Sequence, residues 1–136
     1  MSDEDEIRAE LLGANERFYA AFAGGDLRSM SALWAAHDRL ACTHPGRPPS
    51  IGRARVLSGW FDILQNPPPV RCIAPVPMII GAAGMVLCLE QVGQYHLAAT
   101  NVFEREGRHW RMVHHHAGPV EFAPDPAPEG HSGQVH

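Results

Sequence analysis

Lysine is absent: all 11 basic residues are arginine, 15 acidic residues outnumber them, and the formal net charge is −4. Such a chain lacks the dense basic surface that neutralises nucleic-acid phosphates, so no nucleic-acid partner is expected. No apolar run approaches the ~18 residues that cross a bilayer, so no membrane partner is expected either. The opening residues Met1–Glu6 are acidic, without the basic and apolar regions of a secretory leader, which points to a cytoplasmic protein. Cysteine is scarce, at Cys42, Cys72 and Cys88, with no C-x-x-C spacing. An odd set lying in apolar runs fits reduced, buried thiols better than a disulfide scaffold. Charged residues are 19% and apolar residues 45% of the chain, a globular composition, and 136 residues suit one domain.

What is present has a clear order. Acids at 3–6 precede apolar residues at Ile7, Leu11, Ala14, Phe18 and Phe22, steps of three and four that predict an amphipathic helix. Gly24-Gly25 stops it, and Asp26 caps a second helix carrying Leu27, Met30, Leu33 and Trp34. Residues 38–44 read as a short strand ended by a Pro-Gly loop. Val56, Leu57, Trp60, Phe61 and Leu64 mark a third helix, ended by Pro67-Pro68-Pro69. From Val70 the period falls to two, predicting strands at 70–80, 84–92, 95–105 and 109–117. Pro75 and Pro77 share one parity, which makes that strand an edge. Residues 1–118 form the expected domain, and 119–136, rich in proline and glycine, a flexible tail. Helices before a meander imply an α+β fold with the helices on one face of an antiparallel sheet.

Phe18-Tyr19-Ala20-Ala21-Phe22-Ala23-Gly24-Gly25-Asp26-Leu27, followed by Met30, Leu33 and Trp34, resembles the opening of the nuclear transport factor 2-like superfamily. That group includes ketosteroid isomerase, SnoaL-type cyclases and the association domain of calcium/calmodulin-dependent kinase II. Thr100-Asn101-Val102-Phe103 and Trp110-Arg111-Met112-Val113-His114-His115-His116 resemble the last two strands of SnoaL-like members and of that association domain. Thr43-His44-Pro45-Gly46, Gly52-Arg53 and Trp60 resemble a bacterial SnoaL-like subgroup. The resemblance implies a cystatin-like cone: a curved antiparallel sheet around a long N-terminal helix, with a largely apolar pocket at its open end. It also implies a homodimer through the convex sheet face. Consecutive Val86, Leu87, Cys88 and Leu89 agree with that, since one sheet face alone could not hide them.

Ketosteroid isomerase uses a carboxylate base and an oxyanion hole of tyrosine and protonated acid. By the resemblance, Phe18 occupies the tyrosine position, His44 the base position and Asn101 the acid position, so that carboxylate machinery is absent. Tyr19 lies about 100° around the helix from Phe18. His44 is then either a general base with a pKa suited to neutral pH or a residue ordering the Pro-Gly loop. Asn101 either binds a carbonyl oxygen or bonds within the core. Nine histidines are present, three of them consecutive. Strand alternation puts His114 and His116 with Trp110 and Met112, and His115 with Val113; the resemblance turns the His115 set toward the cavity. His114 and His116 could bind zinc, but no Asp, Glu or Cys completes a ligand set at motif spacing, so no metal and no cofactor are expected. Trp60, Phe18 and Tyr19 are the expected ligand-binding side chains, Trp34 fills the core, and Arg53 and Arg55 are expected at a solvated helix end.

Two functions follow. One is a cofactor-free isomerase or lyase that moves a proton beside a carbonyl, with His44, Asn101 and His115 as catalytic residues. The other is a non-catalytic module that binds a small apolar or carbonyl-bearing ligand and dimerises.

Overall fold

A computed structural model of the chain describes residues 3–121. Helix α1 (Asp3–Gly24) carries four acids in its first turn, where the helix dipole favours negative charge. Its buried stripe is Leu11, Ala14, Asn15, Phe18, Tyr19, Ala21 and Phe22. Gly25 ends it in the left-handed region, φ 64°, and a Cβ there would stand 3.1 Å from Leu64 O. Only glycine meets both demands without strain. Asp26 then caps α2 (Leu27–Leu33), its Oδ1 accepting the Ser29 N–H at 3.1 Å.

Strands β1 (Ala41–Thr43) and β2 (Ser50–Ile51) precede α3 (Arg53–Leu64), and then come β3 (Val70–Ile80), β4 (Ala83–Val92), β5 (Tyr95–Glu106) and β6 (His109–Pro119). They form one six-stranded sheet in the order β2-β1-β6-β5-β4-β3. The sheet is curved and unclosed, and α1 packs chiefly on β3 and β4. This is the α+β cone with a long N-terminal helix. The close fit of α1 to β4 depends on Gly84, where a Cβ would lie 2.5 Å from the Leu11 methyls.

Several details depart from the sequence expectations. The first strand covers 41–43 rather than 38–44, because the Asp38 carboxylate turns away to accept the Arg53 N–H at 3.1 Å. Strand β2 forms where a loop was expected, and β1 joins β6 in parallel, so the sheet is antiparallel only through its meander. Arg53 is not a solvated helix end: its guanidinium donates to the carbonyls of Ser31, Trp34 and Ala35 at 3.0, 3.0 and 2.6 Å, occupying the acceptors that the end of α2 leaves free. Arg55 is exposed. Pro119 closes β6, and residues 122–136 of the expected tail lie outside the described residues.

Two bulges shape the sheet. On edge strand β3 the register shifts between Ile73 and Val76, with Ala74 at φ 54°. Pro75 sits in that irregularity, where a missing N–H costs no ladder bond. On β6, Val102 pairs with His114 while Phe103 pairs with Met112, leaving Val113 without an opposite residue. The extra residue changes which side faces inward. Trp110 and Met112 are buried before it, and His115 and Ala117 after it. The expected grouping of His114 and His116 with Trp110 and Met112 is therefore corrected. His116 is exposed, and His114 is half-buried with Nδ1 3.1 Å from Ala41 O.

Candidate functional site

One polar network lies inside the cone, built from α1 and the three central meander strands. Asn15 and Tyr19 stand one turn apart on α1, and residues four apart share a helix face. Asn101 on β5 pairs directly with His115 on β6. Glu90 on β4 shares its inward parity with Val86 and Cys88. All five polar residues are buried, Glu90 at 3% and Asn101 at 0% exposure.

The hydrogen bonds define the orientation of each group. Asn101 Nδ2 donates to Asn15 Oδ1 at 2.8 Å and to Tyr19 Oη at 3.2 Å. Asn101 Oδ1 can then only accept, so the short 2.6 Å bond to His115 Nδ1 puts the imidazole hydrogen on Nδ1. The Nε2 lone pair is left facing Glu90 Oε2 at 3.7 Å. Tyr19 Oη and Glu90 Oε2 stand 2.6 Å apart.

Burial sets the protonation states. It pushes the Glu90 carboxyl above the ordinary carboxylate range, against the opposing pull of the Tyr19 bond. It pushes the Tyr19 phenol up as well, helped by the Glu90 charge. It lowers His115 to about 3, with the neighbouring histidines His44, His114 and His116 adding to the effect. These are the shifts expected when a charged form loses water. At neutral pH the imidazole is neutral, and the Glu90 carboxyl is easier to protonate than one in water.

The other expected site residues surround this network. Phe18 and Trp60 are fully buried, ring centroids 5.5 Å apart, and each stacks beside His115 at 5.1 and 5.7 Å. Phe22 joins them at 4.9 Å from Trp60. This aromatic cluster fills much of the cone. His44 lies on its far side, with its ring 4.8 Å from Trp60 and Nε2 3.5 Å from Cys42 Sγ. Burial, and then the Arg47 charge, lower its pKa. Its ring centroid is 6.2 Å from His115. The structure thus brings Asn101 and His115 into direct contact and leaves His44 one ring away.

Two separate clefts border these residues. One, of about 660 Å³ between α1 and β3, is lined by Leu12, Asn15, Tyr19, Val70, Arg71 and Cys72, among others. The other, about 210 Å³, is lined by His44, Arg47, Ser50 and Asp62 with their neighbours. Tyr19 is the network residue that both faces the larger cleft and touches Glu90. Sequence reasoning missed Glu90 and Asn15. Glu90 lies outside the positions at which the resemblance places the isomerase carboxylates, and its parity with Val86 and Cys88 was the available signal. Among the described residues, no three of His, Cys, Asp and Glu stand together so as to hold a metal ion.

The fold has known counterparts. The SnoaL-like domain family matches residues 11–120. The chain belongs to that family. A candidate calcium/calmodulin-dependent protein kinase type II association domain from Thiobacillus denitrificans is 33% identical to this SnoaL-like domain. The match covers 79% of this chain and 93% of that one, with a TM-score of 0.72. A candidate dehydratase of the NTF2-like family from Streptomyces avermitilis is 28% identical over 88% of this chain and 99% of that one, with a TM-score of 0.77. A candidate ketosteroid isomerase from Parabacteroides distasonis, 14% identical over 82% of this chain and 86% of that one at a TM-score of 0.67, shares the fold. Among curated proteins, the F-box protein SKIP8 of Arabidopsis thaliana is 24% identical over 116 residues, 79% of this chain. The chain spans about half the length of that relative, 48%.

Proposed function

We propose that this SnoaL-like domain binds a small, largely apolar, carbonyl-bearing molecule in the cleft between α1 and β3. There it moves a proton beside the carbonyl without a cofactor, as an isomerase, cyclase or dehydratase would. The observation that carries the reading is Tyr19: its side chain lines the cleft while its hydroxyl stands 2.6 Å from the buried Glu90 carboxyl. Tyr19 Oη donates to Glu90 Oε2, and protonation of that carboxyl would free the phenolic hydrogen to turn to a ligand oxygen. A fixed donor in a water-poor site stabilises the charge that develops on that oxygen. Polarisation acidifies the hydrogens on the adjacent carbon, and solvent at the open mouth of the cleft, away from the buried Tyr19 hydroxyl, accepts one of them and returns a proton to the product. Asn101 also donates to Tyr19 Oη, and His115 holds Asn101, so in this reading both are positioning residues. Phe18 and Trp60 wall the network. His44 serves as a neutral base for the smaller cleft and does not meet Tyr19.

A second reading, a non-catalytic binding and dimerisation module, has its own support. Both Asn101 amide hydrogens are used inside the protein, aromatic rings fill the cone, and the likeness to an association domain is the 33% match. Both readings include a homodimer through the convex sheet face. Val76, Met78 and Ile80 are 51%, 42% and 49% exposed there, and Leu87 and Met85 stand opposite Val76 and Met78 on β4.

Deuterium exchange of the cyclohexanone α-hydrogens in D₂O, followed by proton NMR, separates the readings. The catalytic reading expects acceleration over buffer and a loss of about 10²–10³-fold in Tyr19→Phe. No acceleration, with a ketone-dependent rise in melting temperature, transfers the assignment to the binding module. Equal acceleration by Tyr19→Phe removes Tyr19 from the mechanism.

A further inference from the structure

The three cysteines have unlike surroundings. Cys42 is sealed in the core beside His44, and burial pushes its thiol up to about 12. Cys72 and Cys88 converge instead. Both face the cone interior: Cys72 stands opposite Glu90, and Cys88 lies two residues before Glu90 on the same face of β4. The two thiols are diagonal cross-strand neighbours on the same face of the β3–β4 ladder. Asn15 Nδ2 donates to Cys72 Sγ at 3.5 Å, and Tyr19 Oη contacts Cys88 Sγ at 3.3 Å. Cys72 is half-buried and lines the 660 Å³ cleft, while Cys88 is buried behind it. One sulfur is therefore reachable from the cleft, and the other lies behind it against Tyr19.

We propose that Cys72 and Cys88 form a peroxide-responsive dithiol, with Cys72 as the reacting thiol and Cys88 as the resolving one. The inference is independent of the reaction assigned to the cleft. The nearby Cys88 thiol, and then the Asn15 amide that donates to the Cys72 sulfur, hold the Cys72 pKa below the ordinary thiol value, whereas Cys88 beside Cys72 is pushed up. The thiolate is the nucleophilic form. The Cys72 thiolate attacks a hydroperoxide: an S–O bond forms as the O–O bond breaks, sulfur gives up two electrons, and the leaving hydroxide or alkoxide takes a proton. Cys88 then gives up its proton and attacks the sulfenic sulfur. The S–S bond forms as the S–O bond breaks, and water leaves. The net change is two thiols and one hydroperoxide to one disulfide, one alcohol or water, and one water.

Backbone slack for closure lies beside the pair. Diagonal neighbours in a regular ladder have Cα atoms about 7–8 Å apart, just beyond the roughly 4.4–6.8 Å that disulfides span. The β3 bulge between Ile73 and Val76 adjoins Cys72 and faces Cys88, on an edge strand with no outer neighbour to hold it. A small shift there brings the sulfurs together. It would also withdraw one contact each from Asn15 and Tyr19, altering the floor of the cleft.

The test treats the full chain with one equivalent of hydrogen peroxide near neutral pH, then denatures it in N-ethylmaleimide. The expected product is about 2 Da lighter before labelling and takes one label in place of the three that its cysteines allow. The tryptic fragment from Cys72 to Arg105, which contains both thiols and no internal arginine or lysine, escapes labelling. Dithiothreitol restores both labels. Cys88→Ser should stop at a sulfenic acid, about 16 Da heavier and trapped by dimedone, and Cys72→Ser should remove the reaction. Wild-type protein that keeps all three thiols overturns the proposal, and so does a disulfide through Cys42, a cross-linked pair of chains, or undiminished oxidation of Cys72→Ser. The wild-type masses decide the matter even if a variant fails to fold.

Discussion

Lowering the pH should destabilise this fold through His115 in a measurable, one-proton way. In the unfolded chain His115 titrates near 6.5, and in the fold burial holds it near 3. A base whose folded pKa is depressed contributes its full stability above the unfolded pKa and loses it as pH falls toward the folded one. At about 1.4 kcal/mol per unit, the whole window is of the order of 5 kcal/mol, and the part between pH 6.5 and 4.5 is about 3 kcal/mol. His115→Gln cannot be protonated but keeps a donor for Asn101 Oδ1. Urea unfolding of both proteins, followed by circular dichroism from pH 4.5 to 7.5, gives the difference in stability at each pH. That difference cancels Glu90, whose raised pKa acts with the opposite sign and is common to both chains. The wild type should lose about 3 kcal/mol relative to the variant over that range. Parallel curves would refute the reasoning. A reversed slope would show that His115 is charged and paired with Glu90, 3.7 Å away. NMR of the wild-type imidazole is a second check, since its resonances should not titrate above about pH 4.

Two further outcomes concern packing. Gly84→Ala places a Cβ 2.5 Å from the methyls of fully buried Leu11, and should cost about 1–3 kcal/mol in urea unfolding; an unchanged midpoint would mean that α1 can move off β4. Light scattering of the wild type at micromolar concentration should give the mass of two chains. Leu87→Glu, in the middle of the convex patch, should give one chain with an unchanged circular dichroism spectrum, and a wild-type mass of one chain would remove the dimer.

The meander was legible because its period-two pattern and glycine turns mark each strand independently of the others. Strands β1 and β2 were harder to read, since residues 41–43 and 50–51 pair only through contacts distant in sequence. The role of Arg53 depends on where the end of α2 lands, which no local pattern records. On β6 strict alternation misled, because one extra residue at Val113 changes the phase and no residue type announces it. Within the site, the resemblance pointed to Asn101 and His115, which the fold joins at 2.6 Å. Glu90 was not legible because it matches no position of the resembled catalytic set, and a glutamate within an apolar strand carries no local mark of burial. Tyr19 was named beside Phe18, but its bond to Glu90 joins residues 71 apart in the chain.

The extra residue at Val113 divides β6 into two halves that obey opposite alternation rules. The half from His109 to Met112 supplies Trp110 and Met112 to the core, and the half beyond supplies His115 and Ala117. Chain length, rather than side-chain identity, sets the relation between them. Deleting Val113 would restore a single rhythm and leave Met112, His115 and Ala117 all facing inward, whereas ironing the bulge flat with Val113 kept would turn His115 and Ala117 outward and draw His114 and His116 inside. A residue-by-residue comparison of this strand with a relative that lacks the bulge is therefore in step on one side of Val113 only. Past that point a matching histidine carries the opposite address.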